Sequence, residues 1–235
     1  MAEPDRAGTT PAGARQARRA RPRARAAAAS VAAGCVLAGT VAVTVAVVAG
    51  PGPGLTGYVS EAGIAGSAYA PTYRIGVFAL AAALLLLAVA LPAGLRAAAG
   101  LLAAGAVCTA LSGAVTCSDG CPLPPFETPT VADLVHGGAS IAAMAATVLA
   151  MLVISFSPVA GPGLRRVARC GAAVALPLAG AVAVGLVTVG RGSLVGGLER
   201  VLLAAGVGWG LATATVLGLA RRNVPGGSTG RKPSM

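Results

Sequence analysis

Residues 75–116 read IGVFALAAALLLLAVALPAGLRAAAGLLAAGAVCTALSGAVT. Two apolar runs, Ile75–Gly94 and Ala97–Thr116, flank a short turn whose one charge is Arg96. A helix rises about 1.5 Å per residue and needs roughly 20 residues to cross about 30 Å of hydrocarbon, and each run meets that length. A strand of an outer-membrane barrel is about half as long and alternates polar with apolar positions, a pattern these runs lack. In lipid a helix satisfies its own backbone hydrogen bonds, so the pair reads as two successive transmembrane helices.

Four more stretches have the same character: Ala26–Gly50, Val131–Phe156, Cys170–Val189 and Val201–Ala220. Together they predict an all-α, polytopic transmembrane bundle of six helices. Composition agrees, with 56% hydrophobic and 11% charged residues, against about 25% charged in soluble domains. Mean hydropathy is +0.80, and a soluble domain of this length would not bury so much apolar surface. The net charge of +11 would suggest nucleic acid if it were spread over a folded surface. Instead seven arginines lie within the first 25 residues, most others flank apolar stretches, and no stacking aromatics accompany the basic run. Nucleic-acid binding is therefore not expected. Heavy Ala, Gly, Val and Arg usage fits a high-GC bacterial genome.

The N-terminal tail, the Leu95–Arg96 turn, the Ser157–Arg169 loop and the C-terminal tail hold fifteen of the eighteen basic residues. The alternate gaps hold only Arg74, Arg191 and Arg200, together with five of the seven acids: Glu61, Asp119, Glu127, Asp133 and Glu199. The positive-inside rule then places both termini in the cytoplasm, the acidic loops outside, and the protein in the plasma membrane as a multi-pass chain. Three regions follow: a disordered Arg-rich tail over 1–25, a transmembrane domain over 26–220, and a disordered basic tail over 221–235. The first apolar run, about 25 residues, exceeds the 7–15 of a signal-peptide core and reads as an uncleaved helix. Topology alone accounts for the tail's arginines, although a polybasic segment is also drawn to anionic lipid by about 1 kcal/mol per basic residue.

Two outer loops stand apart. Pro51–Arg74, PGPGLTGYVSEAGIAGSAYAPTYR, is long for a connector and holds every tyrosine of the chain, Tyr58, Tyr69 and Tyr73. Interfacial anchoring explains such tyrosines; the alternative is a structured lid whose Glu61 points into the mouth of the bundle. Cys117–Thr130, CSDGCPLPPFETPT, sets Cys117 and Cys121 four apart across a turn containing Asp119 and Gly120. Oxidising conditions outside the cytoplasm favour a disulfide, a small local staple. Free thiols are one competitor and a metal site another, but two sulfurs and one histidine make an incomplete ligand set, so no metal or other cofactor is expected. Cys35, Cys108 and Cys170 read as small packing residues of helices.

Asp133 and His136 are three apart, on one face near the outer end of the fourth helix. Ionisable groups in membrane helices are expensive and face a protein interior or a wet cavity. Asp133 also fits a helix cap beside Thr130, and His136, the sole histidine, suits either a bond to a loop carbonyl or a chemical role. Arg200, at the start of the sixth helix, has Glu61 and Asp133 as acidic candidates. Glu61, Asp133, His136 and Arg200 are thus the ligand-pocket candidates, and Glu61, Asp133 and His136 the catalytic set if the protein is an enzyme. No GxSxG, Walker A or HExxH pattern is present, and one histidine excludes a three-histidine zinc centre. Gly206-xxx-Gly210 suggests close helix packing, and Pro177 a kink in the fifth helix.

The run SEAGIAGSAYAPTYRIGVF, the loop CSDGCP, the segment DLVHGGAS and the run GGLERVLLAAGVGW, in this order, resemble bacterial membrane proteins of the domain-of-unknown-function 998 family. The resemblance covers about residues 30–220. It implies six membrane helices and no established activity, and its matched polar positions are Glu61, Cys117, Cys121, His136 and Arg200. The usual Ser-Glu-Leu-Gly of the family stands here as Ser60–Glu61–Ala62–Gly63, and Arg74 replaces a frequent Asn. The expected function is binding of a lipid or small amphiphile in an outward-facing polar pocket. The alternatives are a lipid- or isoprenoid-modifying enzyme using Glu61, Asp133 and His136, and, behind it, a small exporter or permease.

Overall fold

The computed structural model describes residues 11–50 and 57–219, and the side chains of helix residues from 23 onward. Six helices follow one another: α1 Pro11–Ala49, α2 Ala70–Ala90, α3 Arg96–Ala114, α4 Val131–Phe156, α5 Pro162–Thr188 and α6 Ser193–Leu219. A 3-10 turn, η1, occupies Val59–Gly63 between α1 and α2. No strand occurs among the described residues, and all six helices are long and apolar enough to cross a membrane, α1 through its Arg23–Ala49 portion. The protein is a multi-pass, six-helix membrane protein.

Local chemistry explains where the helices start. Proline stands in the first turn of α2 and of α5, where its missing N–H costs nothing. Thr130 and Asp133 form a reciprocal capping box at the start of α4. Four starts precede the hydropathy boundaries by several residues, α2 at Ala70 rather than Ile75 among them. α5 begins at Pro162 rather than Cys170 and α6 at Ser193 rather than Val201, because the helices run on through the charged residues Arg165, Arg166 and Arg169, and Glu199 and Arg200, that bound the apolar spans. α1 likewise runs back to Pro11 through Ala and Arg, both strong helix formers. Residues 1–10 and 220–235, parts of the two expected tails, lie outside the described residues.

Each helix packs on its neighbours in sequence, and α6 returns to α1, so the six form a closed ring in chain order. Leu87, Leu102, Met151, Ile154 and Trp209, on α2, α3, α4 and α6, meet in the central cluster. The outer surface carries large apolar side chains such as Val41, Val45 and Val48 at helical spacing along α1, as a lipid-facing surface requires. Adjacent helices run antiparallel. One end of the ring gathers η1 and the 115–130 loop; at the other, Gly94 packs under Val159 and the Arg169 Nε donates to the Ser155 carbonyl.

Close packing falls elsewhere than Gly206-xxx-Gly210. Nothing lies within 4 Å of a Cβ built on Gly206, and Gly210 meets only Val36 at 3.6 Å. The tight approach is between α1 and α2, where a Cβ on Gly39 would stand 2.8 Å from the Gly76 carbonyl and one on Gly76 2.8 Å from Val43. Gly76→Ala should therefore destabilise the bundle by about 1–3 kcal/mol through overpacking. Gly206→Ala should be neutral or stabilising, since Ala gains about 1 kcal/mol over Gly in a helix. Thermal unfolding of the two purified variants in the same detergent distinguishes them.

Candidate functional site

The polar end of the ring is assembled by side chains bonding to backbone. Asp133, 1% exposed, is the anchor of the 115–130 loop. Its Oδ1 accepts from the Ser118 N–H at 2.7 Å, and its Oδ2 from the Ser118 hydroxyl at 2.9 Å. The same Oδ2 accepts from the Thr130 N–H at 2.8 Å and the Thr130 hydroxyl at 2.7 Å. One carboxylate thus ties both arms of the loop to the start of α4.

One turn on, His136 Nδ1 lies 2.8 Å from the carbonyl oxygens of Ser112 and of Val115, at the C-terminal end of α3. Carbonyls only accept, so Nδ1 carries a proton. In the neutral ring the lone pair is then on Nε2, which is buried and has no hydrogen-bond partner. Cys117 and Cys121, both buried, stand at disulfide-bonding distance with Cα atoms 5.0 Å apart. Positive φ at Gly120 (80°) and Cys121 (47°) turns the chain back so that both sulfurs face inward.

The second half of this end belongs to η1 and α6. Glu61 Oε1 accepts from the Tyr58 N–H at 2.9 Å, and its Oε2 lies 3.9 Å from Arg191 Nη1. Arg191 also reaches Glu127, 3.4 Å away. Glu199 accepts from the Val59 N–H at 3.1 Å. Its neighbour Arg200 donates to the carbonyls of Gly57 and Gly196. Tyr58 and Tyr73 are buried, and a Cβ on Gly63 would collide with the Tyr73 ring, so η1 lies directly on that ring. The tyrosines of this loop pack a lid against the bundle; they are not confined to anchoring it at the interface. Burial, followed by the negative charges of Glu199 and Glu127, pushes the Tyr58 phenol up from 10.0 to about 12.

Between the two halves runs a narrow crevice, too tight as it stands to admit a water molecule, lined among others by Ser60, Tyr73, Arg74, Ser112, Cys117 and His136. Arg74 Nε is buried there without a partner. All four pocket candidates sit at this end, but they do not converge. Glu61 and Arg200 hold the η1 segment, Asp133 holds the opposite loop, and only His136 lines the crevice. Sequence reasoning passed over Glu199, Arg191 and Arg74 as site residues. A signal for the two arginines was present: with Arg200 they are the basic residues that charge sidedness leaves unexplained.

Asp133→Ala should destabilise the protein by about 1–3 kcal/mol, because it strands the N–H groups of Ser118 and Thr130. Thr130→Ala should cost about 0.5–2 kcal/mol as a lost cap. Chemical denaturation in micelles measures both. A raised phenol favours the folded state below its unfolded value, so stability from Tyr58 should be intact below pH 10.0 and fall as pH approaches about 12. Tyr58→Phe should flatten that alkaline loss in pH-dependent melting.

No curated protein and no solved structure matches the chain. A family model described as "Protein of unknown function (DUF998)" matches residues 32–216, most of the chain and all of the polar end just described, and the chain belongs to that family.

Proposed function

We propose that the protein lies in a bacterial plasma membrane with both termini cytoplasmic and the polar end outside. There it binds the head of a lipid or small amphiphile in the crevice beneath η1. The observation carrying this reading is the Arg74 guanidinium: its Nε–H is buried in the crevice wall with no acceptor. A buried donor left unmade is costly, and a planar guanidinium suits a phosphate or carboxylate. Ser60 and His136 add polar groups to the same crevice, while the apolar outer faces of the flanking helices offer a surface for acyl chains. The crevice is tight, so the η1 segment, strapped by Glu199, Arg200 and the Arg191–Glu61 ion pair, is the element that would lift to admit a ligand.

Nothing in the arrangement favours the acid–base alternative. The Glu61 and Asp133 carboxylates are taken up by backbone N–H groups on different segments. Attraction of the N-terminal tail to anionic lipid rests on residues up to 22, whose side chains lie outside the described ones.

Native purification followed by lipid mass spectrometry tests the binding. The wild type should retain an anionic amphiphile that Arg74→Gln holds about tenfold or more weakly, the loss of one charge-assisted bond of about 1.5–3 kcal/mol. Identical retained lipids in wild type, Arg74→Gln and His136→Ala would remove the proposal. Sidedness has its own check: a C-terminal green fluorescent reporter should fluoresce, and an alkaline phosphatase fusion at the same point should be inactive. An active phosphatase fusion would reverse the orientation.

A further inference from the structure

The ligand atoms of Cys117, Cys121 and His136 all lie within 4.8 Å of one another, and all three residues are buried. We infer that, when the cysteine pair is reduced, these three side chains form a binding site for one zinc-class cation, which the disulfide blocks. This inference does not depend on the lipid reading.

The case rests first on His136. Its Nδ1–H is held by the Ser112 and Val115 carbonyls, each 2.8 Å away, so the ring cannot turn without breaking both bonds. That second bond is what a metal-binding imidazole requires, because it fixes the tautomer and aims the lone pair at the ion. The other ring nitrogen, Nε2, is buried and unpartnered.

The sulfurs fit as well. Zinc–sulfur bonds of about 2.3 Å and zinc–nitrogen bonds of about 2.0–2.1 Å in a tetrahedron set ligand atoms about 3.5–3.8 Å apart; the three lie within 4.8 Å here, and the bonded sulfurs must separate on reduction to reach that spacing. The left-handed backbone at Cys121 holds its sulfur on the inner side of the turn. Two thiolates and one imidazole favour a borderline-soft ion over Mg²⁺ or Ca²⁺. Three protein ligands leave a fourth position for solvent or a ligand.

The redox step balances with a dithiol as reductant. The dithiol gives two electrons and two protons to the Cys117–Cys121 bond and becomes a disulfide, leaving two thiols on this chain. Zinc then displaces both thiol protons and takes the His136 lone pair. In the reverse direction a disulfide oxidant takes two electrons from the thiolates and two protons from solvent to become a dithiol, the Cys117–Cys121 bond re-forms, and the ion leaves.

The full-length protein in detergent tests this, with Cys35, Cys108 and Cys170 changed to Ala so that no other thiol contributes. After reduction and anaerobic removal of the reductant, Zn²⁺ is titrated against a chromophoric chelator, and Co²⁺ is added separately as a spectroscopic probe. Reduced protein should take up one ion per chain, release two protons, and show thiolate-to-cobalt charge-transfer absorption; oxidised protein should show none of these. Cys117→Ser/Cys121→Ser should abolish uptake. His136→Gln should weaken it beyond the about 10–100-fold typical of losing an outer-shell partner. Equal uptake by reduced and oxidised protein would overturn the site. So would an unchanged cobalt spectrum in His136→Gln, a variant whose folding is checked by circular dichroism. The double cysteine variant keeps His136 and its carbonyl bonds, so uptake by that variant refutes the site even if every His136 substitution unfolds.

Discussion

Hydrocarbon offers no partner for a backbone N–H or C=O, and the rest of this structure follows from that constraint. Inside the membrane-crossing spans the helix ladder meets it. At the polar end, where chain leaves one helix and joins the next, side chains must do so. Asp133 accepts from the N–H groups of Ser118 and Thr130, Glu61 from that of Tyr58, and Glu199 from that of Val59. Arg200 and His136 supply the opposite need, donating to the carbonyls of Gly57, Gly196, Ser112 and Val115. The charged residues of this end are, for the most part, substitutes for water.

That accounting also isolates what is left over. Once the loop-holding bonds are assigned, Arg74 Nε and His136 Nε2 remain as buried polar atoms without a partner on the walls of one crevice. A buried polar group without a partner costs about 1–3 kcal/mol. Arg74 invites an anionic acceptor and Nε2 an electrophile, so the two leftovers call for different chemistry.

The fold was legible because its signal is long-range and redundant: six spans of adequate length, with lipid demanding helices of each. Boundaries were less so. Ser193 and Pro162 begin their helices well inside segments that hydropathy assigns to loops, since a helix outlasts the membrane and hydropathy cannot see past it. Among site residues, the 117–121 pair and the Asp133–His136 spacing could be read from local sequence. Their division of labour could not. Glu61 and Arg191, or Val59 and Glu199, come together only when α6 closes the ring against α1, and no local pattern encodes that closure. The Gly206-xxx-Gly210 spacing misled for the same reason: small residues permit close approach, but the facing helix decides where it occurs.

Ring closure also decides where the molecule can move. At the end opposite η1, the α2–α3 and α4–α5 turns are short and interlock through Gly94 and Val159, leaving little chain to rearrange. Along the barrel of helices, Ala and Gly bring backbones close enough that sliding one helix would collide it with the next, as at Gly39 and Gly76. The long connections are both at the polar end. There the segment over the crevice is held by bonds to Glu199 and Arg200 and the Arg191–Glu61 ion pair, with apolar contacts around Val59 and Tyr73 and between Tyr58 and the Cys117–Cys121 turn. Such a segment has a low local opening free energy compared with the ring. Lifting η1 would leave the six-helix ring packed, but it would break the Arg191 bridge between Glu61 and Glu127 and the packing of Tyr58 on Cys117 and Cys121.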